Sequence, residues 1–235
     1  YFAPYPIGKI VLPPKIPGDQ DDIPQNPANR RTTANYQMDL NQQKGTLRAY
    51  YASVSFIDTL VGKILSALEA TGQRDNTIVI FTSDHGYHLG EHDLWQKVSI
   101  HEESAKVPLI ICVPGKKPAV CNSLTELIDL YPTVSKLCGL KIPGNIQGKD
   151  ISTMFDDPTF KVRKAALSSG KGRLLRTEKW AYLDYGKTGE LYDMEKDPKQ
   201  YTNLINDPEH ATVMKQLKDQ LQSKLNAIDK NDLDR

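Results

Sequence analysis

Two short apolar runs constrain most strongly what this chain can fold into. Residues 77–82 and 109–113 are almost wholly apolar and rich in β-branched side chains, and Pro114 and Gly115 close the second run. Runs of this length without polar alternation are typical of strands buried on both faces of a sheet that helices cover. We therefore expect both runs to be such strands.

Helical periodicity surrounds the two runs. Apolar residues recur at spacings of three and four over residues 47–68, ahead of Gly72, and again over residues 127–137. Helix, strand, loop, strand and helix in this order are typical of an α/β domain. We expect a mixed sheet sandwiched by helices over residues 1–150, with a proline-rich, irregular lead-in over residues 1–40.

The pattern changes after residue 150. Short segments between residues 165 and 192 are separated by Gly, Lys and Thr, which favours an antiparallel meander. Pro208 then opens a segment with Met214, Leu217 and Leu221 at helical spacing. We expect residues 151–235 to form a smaller α+β module.

The composition excludes several classes of protein. Thirty basic and 29 acidic residues give a net charge of +1, without the basic excess of a general nucleic-acid binder. Three cysteines in 235 residues are too few for a disulfide scaffold. No uninterrupted apolar run approaches the roughly 18 residues of a membrane span, so we expect none. The sequence begins at Tyr1 and not at Met, and we expect it to be part of a longer or processed protein.

Chemically active side chains concentrate in residues 83–97, directly after the first predicted strand. This segment holds three of the five histidines of the chain, together with three carboxylates. Ligands of open α/β sheets bind outside the carboxyl ends of the strands. We therefore expect a functional site in this segment.

Residues 83–97 allow several alternative interpretations. Asp84 and His85 offer a carboxylate oxygen and an imidazole nitrogen to a metal ion, although such a pair also occurs in plain loops. The spacing of His85, His88 and His92 also allows a zinc site on one helical face, but two glycines between them disfavour a helix. Lys97 is either a solvated surface charge or a cation that points back and binds an oxyanion.

A resemblance to a known family covers residues 45–225. Residues 82–92, with Trp95, Lys97 and residues 105–110, resemble the C-terminal half of a type I, formylglycine-dependent sulfatase. The iduronate-2-sulfatase and choline-sulfatase branch of the alkaline phosphatase superfamily is the most similar. Shorter matches to the same family lie at residues 50–58, 62, 130–134, 139, 147–148, 190–193, 197–198 and 203–204.

The resemblance implies that the protein hydrolyses sulfuric esters, and it implies roles for individual residues. Asp84 and His85 match the pair that completes a calcium site in sulfatases, with manganese or magnesium as alternatives. Lys97 matches the catalytic lysine that contacts the sulfate and the leaving-group oxygen. A divalent cation and a lysine would both compensate the charge that develops on the bridging oxygen.

The resemblance also implies substrate contacts. Tyr87, His88 and His92 match positions that line the pocket wall. The implied substrate is a small sulfate ester, with sugar sulfates favoured over choline sulfate and aryl sulfates, and the implied location is the periplasm, the extracellular space or the lysosome. Phosphonate monoester or phosphodiester hydrolysis remains an alternative, because its substrates are also tetrahedral oxyanions, and so does a non-catalytic binding module.

Part of the family's machinery has no match in this sequence. The formylglycine nucleophile forms from Cys or Ser in a Cys/Ser-x-Pro/Ala-x-Arg motif. Cys112 opens a near match, but Lys116 stands where Arg is required. The family's Asp-Asp metal pair is also unmatched. We therefore expect this chain to need the N-terminal half of the same protein for its nucleophile, and to be inactive alone.

Overall fold

The computed structural model describes residues 1–24, 31–97 and 99–229, which form two compact units. The units are assembled from non-contiguous segments. Unit 1 comprises Tyr1–Asp21, Gln25–Ser99 and Glu103–Gly115, and unit 2 comprises Asp22–Pro24, Ile100–Glu102 and Lys116–Arg235. Their division therefore falls earlier in the chain than the predicted boundary at residue 150.

Unit 1 opens with an irregular lead-in, as its proline content predicts. Ile7–Lys9 is a single 3-10 turn, and the other described residues up to 39 form turns, bends and irregular segments, with one isolated antiparallel bridge between Thr32 and Leu94. The lead-in packs on the following helix, since Ile10 shares a buried cluster with Leu47. Arg48 Nε also donates a hydrogen bond of 2.8 Å to the Tyr5 carbonyl.

The helix predicted over residues 47–68 is confirmed as α1, Leu40–Ala70. Asp39 and Gln42 form a capping box, in which each side chain accepts a hydrogen bond of 2.8 Å from the other residue's backbone N–H. Gly72, at φ 67°, follows the C-terminus in the left-handed conformation. Local sequence signals therefore set both ends of α1.

Much of the apolar face of α1 is exposed. Leu47 is buried, whereas Val54, Ile57 and Ile64 are exposed, Ile64 by 67%. By length and composition alone, α1 could cross a membrane, since an 18-residue window has a mean hydropathy of 1.3. Core helices of other proteins pass the same test, so the absence of a membrane span stays a prediction.

The two predicted strands are confirmed as β1, Val79–Thr82, and β4, Leu109–Cys112, which pair antiparallel. Their predicted burial on both faces is wrong, because Phe81 and Ile110 are 41% and 55% exposed. Within the described part of the chain, β1 and β4 pair only with each other. A two-stranded ladder cannot bury the apolar surface that a wider sheet would cover.

A small hairpin lies between β1 and β4. β2, His88–Leu89, pairs antiparallel with β3, Trp95–Gln96, and the 3-10 turn Glu91–Asp93 joins them. Trp95 is buried, and its indole N–H donates a hydrogen bond of 2.8 Å to Thr33 Oγ1 in the lead-in. A short helix, α2, spans Glu102–Ala105. The lead-in and the hairpin thus share one core.

The predicted meander and final helix are confirmed in unit 2. Four antiparallel strands lie side by side in chain order, and α4, Ala211–Asp229, supplies Met214, Leu217 and Leu221 to a core cluster with Leu175 and Leu191 of the sheet. The strands are β5, Ala165–Ser169; β6, Arg173–Thr177; β7, Trp180–Asp184; and β8, Gly189–Asp193.

A buried ion pair explains why unit 2 begins before residue 150. The 3-10 turn Leu127–Asp129 leads into α3, Leu130–Leu137, the helix predicted over residues 127–137. Both oxygens of the fully buried Asp129 accept hydrogen bonds from the Arg163 guanidinium. Because breaking such a pair leaves an uncompensated buried charge, α3 belongs with the residues after 150.

A second buried pair in unit 2 joins His101 to Glu190. His101 Nε2 lies 2.7 Å from Glu190 Oε2, and the Tyr192 hydroxyl donates to the same oxygen at 2.7 Å. Burial alone would raise the pKa of Glu190, but the charge and hydrogen bond of His101 and the Tyr192 hydroxyl hold that pKa below its ordinary value. Folding therefore favours the ionised Glu190.

This pair predicts a loss of stability in acid. A carboxylate with a lowered folded-state pKa stabilises the fold above its unfolded pKa of about 4.3, and the contribution disappears as the pH falls through the folded value. Glu190→Gln should lower the free energy of unfolding at pH 7 by about 3 kcal/mol and flatten its dependence on pH below about 5. Urea unfolding across this pH range measures both effects.

The control for this prediction is Glu195→Gln. Glu195 is an exposed carboxylate in the same unit, and it lies 3.3 Å from the Lys179 ammonium. Exposed pairs contribute about 0–1 kcal/mol, so this variant should keep the acid profile of the unmodified chain. Equal profiles for both variants would contradict the role assigned to Glu190.

Candidate functional site at the end of strand β1

Asp84 and His85 lie in the turn directly after β1. Ser83 Oγ donates a hydrogen bond of 2.8 Å to the His85 carbonyl, and the His85 N–H donates one of 3.1 Å to Asp84 Oδ1. The side chains of Asp84 and His85 are 84% and 34% exposed. This local network directs both polar side chains towards solvent instead of into the strand.

Gly86 fixes this turn against α2. Its N–H donates a hydrogen bond of 2.8 Å to the Ser104 carbonyl, and a Cβ at Gly86 would lie only 1.9 Å from the Glu103 carbonyl oxygen. No side chain fits at that distance, so glycine is required by the close backbone approach. The end of β1 and the start of α2 are therefore held together through Gly86.

Lys97 returns to this turn from the end of the hairpin. Its Nζ lies 2.8 Å from His85 Nε2, and His85 Nδ1 lies 2.9 Å from the Gly86 carbonyl. An ammonium has only donors and a carbonyl only accepts, so His85 donates from Nδ1 and accepts at Nε2. The structure thus brings Asp84, His85 and Lys97 together, as in the alternative in which Lys97 points back at the site.

The donor set at the turn suits a cation. His85 Nε2 and Asp84 Oδ2 are 3.5 Å apart, and the Nε2 lone pair already contacts the Lys97 ammonium. An imidazole nitrogen and a carboxylate are both ordinary metal ligands. Residues 1–24, 31–97 and 99–229 contain no group of three or more His, Cys, Asp or Glu that could hold a metal ion. The role of Asp84 and His85 as metal ligands therefore stays a prediction.

Tyr87 packs beside the turn on α1. Its ring centroid lies 5.4 Å from that of Tyr50, with 35° between the ring planes. Burial, followed by the neighbouring Tyr50 and Tyr36 hydroxyls, raises the pKa of Tyr87 above its ordinary value. Tyr87 therefore stays a neutral hydrogen-bonding group at neutral pH, and its predicted contact with substrate stays a prediction.

His88 and His92 lie inside unit 1. They are 1% and 2% exposed; His88 Nε2 lies 2.6 Å from Ser99 Oγ, and His92 Nδ1 lies 3.1 Å from Asp19 Oδ1. Their segment forms a strand and a 3-10 turn, not the α-helix that the zinc alternative requires. In this structure neither side chain reaches the surface where Asp84 and His85 lie.

The residues that hold the hairpin carry no recognisable signal in the sequence. Three hairpin residues have left-handed φ angles, which are unfavourable for residues other than glycine: His92 (55°), Asp93 (55°) and Gln96 (72°). Asp19 contacts the His92 ring, and Lys15 Nζ lies 2.9 Å from Asp93 Oδ1. Both lie in the proline-rich lead-in, which has no periodicity and no motif to mark them.

Comparisons with known proteins identify the family of the chain. The family profile named Sulfatase matches residues 19–140, slightly more than half of the chain. The profile named N-sulphoglucosamine sulphohydrolase, C-terminal, matches residues 90–227. The two matches together cover nearly all the described residues.

Several curated relatives carry sulfatase names. An arylsulfatase of Clostridium perfringens is 32% identical over 226 residues, covering 84% of this chain and 47% of the relative. A choline-sulfatase of Rhizobium meliloti is 34% identical, covering 68% of this chain and 33% of the relative. An N-acetylglucosamine-6-O-sulfatase of Bacteroides thetaiotaomicron is 30% identical, covering 80% of this chain and 37% of the relative.

Solved structures show the same relationship. A protein in complex with its substrate D-glucosamine-2-N,6-O-disulfate matches with a TM-score of 0.72 and 28% identity, covering 86% of this chain and 46% of that one. A phosphonate monoester hydrolase from Silicibacter pomeroyi matches with a TM-score of 0.85, covering 97% and 53%, but at 24% identity it shows only the shared fold.

The similarities are spread over the whole chain and not confined to one motif. The chain spans about half the length of the first curated relative that it matches, 47% of the Clostridium perfringens protein. Its α/β fold is that of the sulfatase structures. The chain therefore belongs to the sulfatase family, of which it represents a C-terminal portion.

Proposed function

We propose that the protein to which this chain belongs hydrolyses sulfate esters, and that this chain supplies part of its metal and sulfate site. The observation that carries the proposal is the convergence of Asp84, His85 and Lys97 at the end of β1, with 2.8 Å between His85 Nε2 and Lys97 Nζ. In a member of the sulfatase family, a carboxylate, an imidazole and an ammonium at a strand end suit an anionic ester and a cation.

Asp84 and His85 would hold the divalent cation, Ca²⁺ with Mn²⁺ or Mg²⁺ as alternatives. Once bound, such a cation supplies positive charge to the sulfate oxygens. The Nδ1–H of His85, donating to the Gly86 carbonyl, fixes the tautomer that leaves Nε2 as a ligand. The remaining ligands would come from outside this chain, as would the formylglycine.

Lys97 would act on the leaving group. Cleavage of the S–O bond moves negative charge onto the bridging oxygen, and an ammonium beside that oxygen stabilises this charge. In this structure the Lys97 ammonium donates to the lone pair of His85 Nε2. A metal ion bound to Nε2 would take that lone pair and would leave the ammonium free to donate to the bridging oxygen. The hairpin brings Lys97 to this position from 13 residues further along the chain than Asp84.

We propose a sugar sulfate as the substrate. The names of the Bacteroides thetaiotaomicron relative and of the glucosamine disulfate complex support this class. Tyr87 is the aromatic side chain beside the turn that could pack on a sugar. His88 and His92, being buried, would orient the hairpin and so act on the substrate indirectly.

We also propose that the N-terminal half of the same protein covers the exposed apolar surface of unit 1. Val54, Ile57 and Ile64 of α1 are exposed, as are Phe81 of β1 and Ile110 of β4. Exposed apolar surface of this extent marks an interaction site. The exposed side chains of β1 and β4 would then contact that other half.

The proposed activity is tested on the complete protein, with residues upstream of Tyr1 included. Matched aryl sulfate and aryl phosphodiester substrates should give faster turnover of the sulfate. The 235-residue chain alone should turn over neither substrate, because it lacks a nucleophile motif. Faster phosphodiester cleavage would favour the phosphoryl-transfer alternative, and saturable binding without turnover would favour a binding module.

The role of Lys97 predicts a specific kinetic effect. Lys97→Ala in the complete protein should lower kcat about 100- to 1,000-fold and change KM much less, because the charge on the leaving oxygen appears only in the transition state. Steady-state kinetics with an aryl sulfate measure both constants. Lys9→Ala, at an exposed lysine of unit 1, is the control. A defect confined to KM would refute this role.

The role of Asp84 predicts weaker metal retention. Asp84→Asn removes a charged ligand, and the apparent affinity for Ca²⁺ should fall about tenfold or more, since even indirect partners of metal ligands contribute 10- to 100-fold. Elemental analysis of the complete protein after dialysis provides the measurement. Asp75→Asn, at an exposed carboxylate, should retain the metal. Equal metal contents in the two variants would count against Asp84 as a ligand.

If the N-terminal half covers the exposed apolar residues of unit 1, a substitution there should affect the stability of the complete protein more than that of the 235-residue chain. Ile57→Glu should lower the free energy of unfolding of the complete protein by about 2 kcal/mol or more, because a charge would be buried without a partner. The same change in the 235-residue chain should have little effect, since Ile57 is exposed there. Val120→Glu, at an 83% exposed residue, is the control in both forms. Equal effects of Ile57→Glu in both forms would contradict the proposal.

A further inference from the structure

We propose that unit 2 carries a second anion-binding site, outside residues 83–97, that binds a sulfate group of a sulfated oligosaccharide. A cavity of about 200 Å³ in this unit is lined by the basic residues Lys149, Arg163, Lys164 and Lys224, with Glu126 as its acidic residue. Glu126 lies just before the turn that leads into α3, and Lys149 lies between α3 and β5. Arg163 and Lys164 lie directly before β5, and Lys224 lies in α4.

Asp129 fixes the position of two sides of this cavity. One of its carboxylate oxygens accepts a hydrogen bond of 2.8 Å from the Lys149 backbone N–H and one of 2.6 Å from Arg163 Nη2. Lys164 follows Arg163 directly in the chain. Lys149 and Lys164 are exposed, and the Lys149 ammonium donates a hydrogen bond of 3.3 Å to the Val162 carbonyl. Asp129 thus holds the Lys149 backbone and the residue before Lys164 at the edge of the cavity.

The hydrogen bonds of Asp129 also keep it ionised. Burial alone would raise the pKa of Asp129, but hydrogen bonds from the Arg163 guanidinium and from the Lys149 and Glu126 N–H groups hold that pKa below its ordinary value. Asp129 is thus ionised at neutral pH, and its carboxylate pairs with Arg163 on the inner side of the cavity.

The acceptors around the cavity are already used. Glu126 Oε1 accepts from the Leu167 N–H at 2.7 Å and from Lys224 Nζ at 2.9 Å, and its Oε2 lies 3.3 Å from Arg163 Nη2. Four cations against the carboxylates of Glu126 and Asp129 leave an excess of two positive charges. An ammonium group carries three donors, so donors are in excess at this surface.

The size and charge of the cavity select the ligand class. Its volume is below the roughly 300–1,000 Å³ of pockets that enclose a whole small-molecule ligand. It therefore has room for one charged group, while the rest of the ligand lies outside. A tetrahedral oxyanion on a flexible polar chain, such as a sulfated oligosaccharide, matches these features. This site goes beyond the proposed function because it requires no turnover.

Calorimetric titration of the chain at low ionic strength tests the proposal with three probes. These are a heparin-derived tetrasaccharide, its fully desulfated counterpart and inorganic sulfate. The sulfated tetrasaccharide should bind saturably and most tightly, and added salt should weaken it because exposed charges are screened. Equal affinity for the desulfated sugar would overturn the proposal, as would inorganic sulfate binding as tightly as the sulfated sugar.

Two pairs of substitutions locate the site. Lys149→Gln with Lys164→Gln should weaken binding of the sulfated tetrasaccharide about tenfold, the combined effect of two exposed charge contacts. Lys171→Gln with Lys187→Gln removes the same charge from exposed positions between the strands of unit 2 and should change binding less than about twofold. Equal losses in the two double variants would overturn the assignment of the site.

Acetylation footprinting on the unsubstituted chain gives a readout that does not depend on how the variants fold. Mass spectrometry should detect protection of Lys149 and Lys164 by the sulfated tetrasaccharide, with Lys171 unprotected. Protection of all three lysines, or of none, would refute the site. Because no catalysis is measured, either result leaves the proposed sulfatase activity to its own test.

Discussion

The close backbone approach at Gly86 is the constraint on which the candidate site depends. The Gly86 N–H reaches the Ser104 carbonyl at 2.8 Å, and there is no room for a Cβ. This contact bends the chain immediately after β1, so that Asp84 and His85 leave the strand end together. It also provides the carbonyl that fixes the His85 tautomer. A larger residue at position 86 would separate β1 from α2 and disturb both effects.

The hairpin adds Lys97 to this turn at an energetic cost. Residues held at left-handed φ cost of the order of 1–3 kcal/mol each, and His92, Asp93 and Gln96 all lie in this region. Contacts from the lead-in offset the strain: Asp19 on the His92 ring and Lys15 on Asp93. The irregular lead-in therefore supports the hairpin that positions Lys97, the candidate catalytic residue.

Unit 2 uses buried charge in a different way. Asp129 and Glu190 are fully buried carboxylates, each paired with a cationic or hydrogen-bonding partner within the unit. Losing one partner of such a buried pair strongly destabilises the fold, because the other charge stays buried without compensation. These pairs therefore specify which segments must come together. The Asp129 pair in particular places α3 in unit 2 and orients the basic cavity.

The sequence by itself determined the elements whose signals are local. Periodicity, glycine stops and Pro208 predicted α1, α3 and α4, and short segments separated by Gly, Lys and Thr predicted the meander. The resemblance to sulfatases indicated roles for Asp84, His85 and Lys97. Tertiary structure decided the burial of His88 and His92, the support from Asp19 and the early start of unit 2. The exposure of β1 and β4 was also decided there, because an apolar strand is buried only where a neighbour covers it. Pairings between residues distant in the chain leave no periodic signal, and three-dimensional contact alone reveals them.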